Sequence, residues 1–255
     1  MRLKTNKRLA RRNRQITNYL FFGTFAALIL GFIIINASLF TPDVPDTLTL
    51  IAQSAILPIA FVLTVVSVRM TNLWARRPRP EDAIAGGLKG LSNKSVLYNY
   101  YHFPARHVLI CPQGVFAITT RWHDQRFTYR NGRFRSHKNI LSRFFSAIRF
   151  DGVGRPLRDA EFACARLQRA IDAVAADVTV QPLVVFIDPS AEIEFADEPS
   201  LPVLYADPKK SPNLKDFMRD KKRDLDKTAG DSKARNASLM PLTDEQIEAF
   251  EAATT

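Results

Sequence analysis

Between residues 121 and 149, eight basic side chains stand against a single acid, Asp124, for a local net charge of +7. They are Arg121, Arg126, Arg130, Arg133, Arg135, Lys138, Arg143 and Arg149. Guanidinium groups present planar forks of donors that match phosphate oxygens. Aromatic rings are interleaved with them at Trp122, Phe127, Tyr129, Phe134, Phe144 and Phe145. Phosphate contact and base stacking both lie within the chemistry of this stretch, and Arg121, Arg126, Arg130, Arg133, Arg135 and Lys138 are its candidate nucleic-acid or anion ligands. The competing reading is a basic hairpin that meets anionic lipid headgroups while its aromatics fill the core.

Other chemistries find less to work with. Cys111 and Cys164 have no second Cys at metal-ligand spacing and read as reduced, buried thiols. His102, His107 and His137 make no recognisable nucleophilic arrangement with them. Gly86-Gly87 and Gly90 lack the Lys-Ser/Thr that completes a phosphate loop. The run Asp188 to Asp207 carries six carboxylates and is expected to be a solvated loop, as is the pair His123-Asp124.

The elements that must position these residues begin with a membrane signature. The formal net charge of +11 is concentrated beside two apolar runs: residues 1–18 contribute +7 and residues 69–79 contribute +4. Tyr19 to Phe40 is 22 residues long and uncharged; as a helix at about 1.5 Å per residue it spans roughly 33 Å, the thickness of a bilayer core. Leu48 to Val68 is a second uncharged run of 21 residues with Pro58 inside it. Two transmembrane helices are expected, joined by a short external loop, Thr41 to Thr47. The first run is longer than the core of a signal peptide and lacks a small-residue cleavage context at its end. Lys and Arg on the outer flanks place both termini in the cytoplasm by the positive-inside rule, with a basic N-terminus at 1–18 and a basic linker at 69–80. Trp74 is placed to anchor at the interface. Gly23, Ala27 and Gly31, four residues apart, form a small-residue face against the second span or, alternatively, a second copy of the chain.

Residues 81–225 are expected to form one α+β (mixed α/β) domain, with a polar tail at 226–255. A short helix opens at Glu81, limited by its glycines. Strands are expected at Val96 to Tyr101, His107 to Ile110 and Val115 to Thr120, then at Arg126 to Arg130 and Arg133 to Arg135 about the Asn131-Gly132 turn, all in one antiparallel stretch. An amphipathic helix follows over Leu157 to Val178, then a buried strand at Leu183 to Ile187, a weaker one at Pro202 to Tyr205, a helix at Asn213 to Arg223, and a last helix capped by Thr243 and Gln246.

In this order the domain resembles the nuclease-related domain (NERD) family of the PD-(D/E)xK nuclease-like superfamily, whose domains are of restriction-endonuclease-like type. Four stretches carry the resemblance: Arg106 to Ile118, which reads RHVLICPQGVFAI; Arg155-Pro156-Leu157-Arg158-Asp159; Leu183 to Asp188; and Pro202 to Asp207. The resemblance implies an Asp just before the His-Val strand, an E-x-K triplet ending the next strand, and a Glu on the first helix. Two carboxylates at adjoining strand ends would then hold Mg²⁺ for phosphodiester cleavage. Here the Asp position is Arg106, the triplet reads Thr119-Thr120-Arg121, and Glu81 is the remaining candidate for the helix Glu. Asp124 and His123 with Glu81 are the alternative metal set.

The expectation is a membrane-anchored domain of nuclease type without a catalytic metal site, and so without a cofactor, acting as a binding or scaffolding module with nucleic acid, anionic lipid or protein as its partner. An active membrane-tethered nuclease using Mg²⁺ at a rearranged site is the alternative, and a purely structural membrane protein that assembles with protein partners is a third.

Overall fold

The computed structural model describes residues 1–36, 46–124, 126–137, 153–228 and 240–253. Among these, 7–77 form one compact unit, and 1–6, 78–137, 153–228 and 240–253 form another.

The first unit is a pair of long helices, α1 (Lys7–Ile35) and α2 (Asp46–Trp74). Both are long and apolar enough to span a membrane. Only 11% and 6% of their most apolar windows is buried, unlike the buried core helix of a soluble protein. Large apolar side chains such as Phe22, Phe25, Phe32 and Phe61 point outward, while small and hydroxyl residues lie between the helices. Ala10, Thr17, Thr24 and Gly31 are the buried positions of α1, one every seven residues. On α2 the corresponding seam includes Ala60 and Ser67. The Thr17 and Thr24 hydroxyls donate to the carbonyls of Met70 and Leu63 at 3.4 Å each.

At Gly31 a Cβ would come within 2.8 Å of Ile56 Cγ2, so glycine permits the close approach. Against the second span the predicted face through Gly23 does not form: Gly23 has no atom of a described residue within 4 Å of where a Cβ would stand. A step of four residues turns about 40° around a helix, whereas a step of seven drifts only about 20° and keeps its seam on the partner. The helices also outrun the predicted spans. The basic residues from Lys7 onward are already helical, and α2 continues to Trp74, taking in much of the predicted linker. Of the predicted loop, residues 41–45 lie outside the described residues, and Asp46 and Thr47 open α2.

The second unit is built on a six-stranded sheet of order β1-β2-β3-β4-β7-β9. After α3 (Pro80–Gly87), the strands β2 (Val96–His102), β3 (Ala105–Cys111) and β4 (Gly114–Arg121) run antiparallel. Strands β5 (Arg126–Arg130) and β6 (Arg133–Ser136) follow, then helix α4 (Pro156–Asp172) and strand β7 (Val180–Phe186). β7 lies parallel to both β4 and β9 (Val203–Tyr205), which buries it as its apolar run requires. α5 (Leu214–Thr228) and α6 (Asp244–Ala252) complete the unit, and the capping box of Thr243 and Gln246 opens α6 as predicted. The fold is thus mixed α/β. Alternation along the strands sends Val108, Val115 and Ala117 to the face covered by α4 and α6, and Leu109, Phe116 and Ile118 to the face covered by α3 and α5.

Four expectations are corrected. The N-terminus is no free basic segment: β1 (Arg2–Thr5) pairs in parallel with β2. The β5–β6 hairpin leaves the main sheet to form a second one, of order β6-β5-β8. The acidic run is no loop either, because Glu192–Phe195 forms β8, parallel to β5. Helix α4 ends at Asp172, where Ala175 N–H closes on the Ile171 carbonyl at 2.7 Å and Ala175 turns into the core.

Candidate anion-binding face

The three positions that the resemblance assigns to catalysis lie at adjoining strand ends. The register pairs His107 with Ile118, so one step further Arg106 lies beside Thr119, and Arg121 follows on the same face of β4. Arg121 is committed to the fold. Its Nε donates to the Val153 carbonyl at 3.1 Å, its Nη1 to the Thr120 carbonyl at 3.0 Å, and its Nη2 to the Asp159 carboxylate in the first turn of α4. Burial lowers its pKa, partly offset by Asp159 and reinforced by Arg106.

Glu81 belongs elsewhere. The pairing slips between Asn99 and His102, and Tyr100 takes φ 67 there; the Tyr100 hydroxyl donates to Glu81 Oε2 at 2.6 Å. The Tyr100 ring lies 5.2 Å from that of His107, on the α3 face of the sheet, opposite Arg106, Thr119 and Arg121. His107 Nδ1 meets Asn99 Oδ1 at 2.8 Å, and burial together with the Arg106 charge takes its pKa down to about 3. It is a neutral core histidine.

A divalent metal does not fit these residues. Two cations and a hydroxyl stand where hard anionic ligands are required, the nearby Asp159 is already paired with Arg121, and Glu81 is bonded on the other face. Among the described residues no three His, Cys, Asp or Glu side chains converge. The alternative set is not assembled: His123 is buried, against expectation, with its ring 5.3 Å from Phe127, while Asp124 is exposed. Cys111 is buried, and burial pushes its thiol up to about 12; burial raises Cys164 as well. Neither supplies a thiolate at neutral pH.

The small sheet separates charge from ring. Arg126, Arg130, Arg133 and Arg135 are exposed, while Phe127 and Tyr129 are buried and pack with Phe134 against Phe186 and the start of α4. The tight turn is the expected Asn-Gly one, with φ 51 at Asn131 and 71 at Gly132. Trp122 donates its indole N–H to the Pro78 carbonyl at 3.0 Å. These rings therefore serve the core and not base stacking. Phe144, Phe145, Arg143, Arg149 and Lys138 lie outside the described residues.

Across the outer face charge runs from positive to negative. Arg133 and Arg135 lie on β6, Arg126 and Arg130 on β5, and Glu192 and Glu194 on β8, where Arg126 meets Glu194 at 3.7 Å. Asp197 accepts the Asn131 backbone N–H at 2.6 Å.

Beside the hairpin turn is an open groove of about 490 Å³, lined by Gly132, Arg133, Phe134 and residues 154–158. Arg155 and Arg158 join Arg133 there. Sequence reading placed these two only in a family stretch and a helix face. Their signal was Pro156, which marks a helix start, but their proximity to residue 133 is a tertiary fact.

Comparison of the chain with family models, with curated proteins and with solved structures finds no match.

Proposed function

We propose that the chain is a two-span membrane protein whose domain, of nuclease-related descent, binds phosphate-bearing ligands without cutting them and serves as a cytoplasmic binding or scaffolding module. The observation that carries this reading is the outer face of the small sheet, where four arginines are exposed and the aromatic residues between them face the core. An exposed guanidinium row without rings favours contact with phosphate over contact with bases.

The descent is supported by where the four matching stretches fall. They are the β3–β4 hairpin, the first turn of α4, β7 and β9, all on or against one sheet. With Arg106 and Thr119 in place of carboxylates, the strand ends suit an anion better than Mg²⁺. The membrane setting is supported by two apolar helices whose outer surfaces are phenylalanine and aliphatic and whose hydroxyls lie on the shared seam.

The test uses the full chain in nanodiscs with labelled duplex and single-stranded DNA and RNA and Mg²⁺. The expected result is salt-sensitive binding that Arg130→Glu with Arg133→Glu weakens at least about tenfold, with every substrate intact. Cleavage that disappears in Glu81→Ala would establish the nuclease alternative. Absence of binding to nucleic acid and to anionic vesicles alike would leave protein assembly as the function.

A further inference from the structure

The groove at the hairpin turn has a composition that the rest of the arginine face lacks. Three cations line it, Arg133 from β6, Arg155 before α4 and Arg158 in its first turn. No carboxylate is among its described lining residues. The acid closest in sequence, Asp159, is held by Arg121, whose contacts to Val153 and Asp159 also fix the segment that carries Arg155 and Arg158. Elsewhere on the face Arg126 has an acidic neighbour in Glu194. Two lining residues are glycines, Gly132 and Gly154, and neither has an atom of a described residue within 4 Å of where a Cβ would stand, so no side chain of their own narrows the groove. No side chain caps α4, and its N-terminal dipole adds potential of the same sign.

From this we infer that the groove binds the phosphate group of a small phosphomonoester, with Arg133, Arg155 and Arg158 as its ligands. Three guanidiniums with no carboxylate among the described lining residues favour a dianion over the single charge of a phosphodiester, and each can offer a fork of two donors to phosphate oxygens. A volume of about 490 Å³ admits more than inorganic phosphate and lies in the usual range of small-ligand pockets. The same headgroup chemistry comes from two sources, a soluble organic phosphate or a phosphatidic-acid headgroup. The inference rests on the reading of this face as anion-binding and sharpens it to one place and one charge state.

The experiment is calorimetric titration of the full chain in phosphatidylcholine nanodiscs with glycerol 3-phosphate, and in parallel with the diester glycerophosphoglycerol. The expected result is tighter binding of the monoester, weakened about tenfold or more in Arg155→Gln with Arg158→Gln and nearly unchanged in Arg169→Gln, in the last turn of α4 and outside both the groove and the arginine face. All three positions are exposed, and matching unfolding temperatures verify that each variant folds. Doping the nanodiscs with phosphatidic acid distinguishes the sources. A raised apparent Kd for glycerol 3-phosphate, absent with phosphatidylglycerol, identifies the lipid headgroup as the occupant, and an unchanged Kd identifies the soluble phosphate. Equal affinity for monoester and diester, or equal losses in the groove and Arg169 variants, overturns the groove assignment while leaving a general anion-binding face. No binding of either ester, with duplex DNA still bound and weakened by Arg130→Glu with Arg133→Glu, also overturns the groove alone. No binding of any anion overturns both.

Discussion

His102 and His107 are both buried, and burial carries their imidazoles down to about 4 and about 3. Unfolding releases them to the ordinary value of 6.5, so below that pH the unfolded chain binds more protons than the folded one and stability falls. Glu251 acts in the same direction. Burial would raise its carboxyl, but Lys4 at 2.5 Å and the Tyr98 hydroxyl at 2.5 Å outweigh that and lower it. A depressed carboxyl contributes stability above its unfolded value and loses it as pH falls through the folded one. His102 and Glu251 lie where β1, β2 and α6 come together, with His102 stacked on Phe250 at 4.0 Å, while His107 is buried on the other face of the sheet. The unfolding temperature of the detergent-solubilised chain should therefore decline from pH 7 to pH 4, and His102→Phe, which keeps the ring contact without the titration, should flatten that decline. A pH-independent unfolding temperature would contradict the burial argument. Arg121 teaches the complementary lesson: its position matched the lysine of a catalytic triplet, yet its neighbours Val153, Thr120 and Asp159 absorb its donors. Residue type announced a cation; only the fold says whom it serves.

Helix α3 sits on the sheet through one contact that tolerates no side chain. A Cβ on Gly87 would lie 2.6 Å from the Ala206 carbonyl oxygen, which is backbone just past β9. Gly87→Ala must push α3 away from Ile84 and Leu88's partners in the core, at a cost of about 1–3 kcal/mol, even though alanine is the better helix former. Gly86→Ala, next to it with nothing within 4 Å, should be neutral or mildly stabilising. Chemical denaturation of the pair of variants checks this, and similar midpoints would refute the close-approach account. The two glycines are adjacent in sequence and indistinguishable there, which marks where reading the chain stops. Local signals came through: the Asn131-Gly132 turn, the Thr243 capping box, the apolar run of β7 and two helices long and apolar enough to span a membrane. What failed was non-local. β1 is four residues, RLKT, with no apolar run, paired to a strand more than ninety positions away. β8 hides in an acidic stretch because its glutamates face outward and only Ile193 and Phe195 turn inward. The arginine cluster was legible as charge, but its acidic border on β8 and the two arginines from α4 were not, since neither lies near it in sequence.

The connection between β1 and β2 is the whole helical hairpin: Thr5 pairs with Asn99, and α1 and α2 lie between them in the chain. Two strands hydrogen-bonded side by side occupy one compartment, and a chain that leaves a compartment through one membrane helix returns to it through a second. The parallel β1–β2 pair is compatible with an even number of membrane crossings, and so with two spans but not with one, quite apart from any charge rule. For two crossing helices, the positive-inside rule predicts from the flanking lysines and arginines that this side is the cytoplasm. Lys4 ties β1 onward to Glu251 in α6, at 2.5 Å, which braces the first and last described elements together. A membrane-impermeant thiol reagent tests this in intact cells, using single cysteines introduced at Asn6 and Ala253 in a chain with Cys111→Ala and Cys164→Ala. Both sites should be shielded until the cells are opened, and a cysteine at Thr41, between the spans, should be labelled without opening them. Labelling of one terminal site but not the other would break the β1–β2 pairing or remove one span. Labelling of both termini in intact cells would keep the pairing and reverse the orientation, placing the arginine face outside the cell among a different set of phosphates.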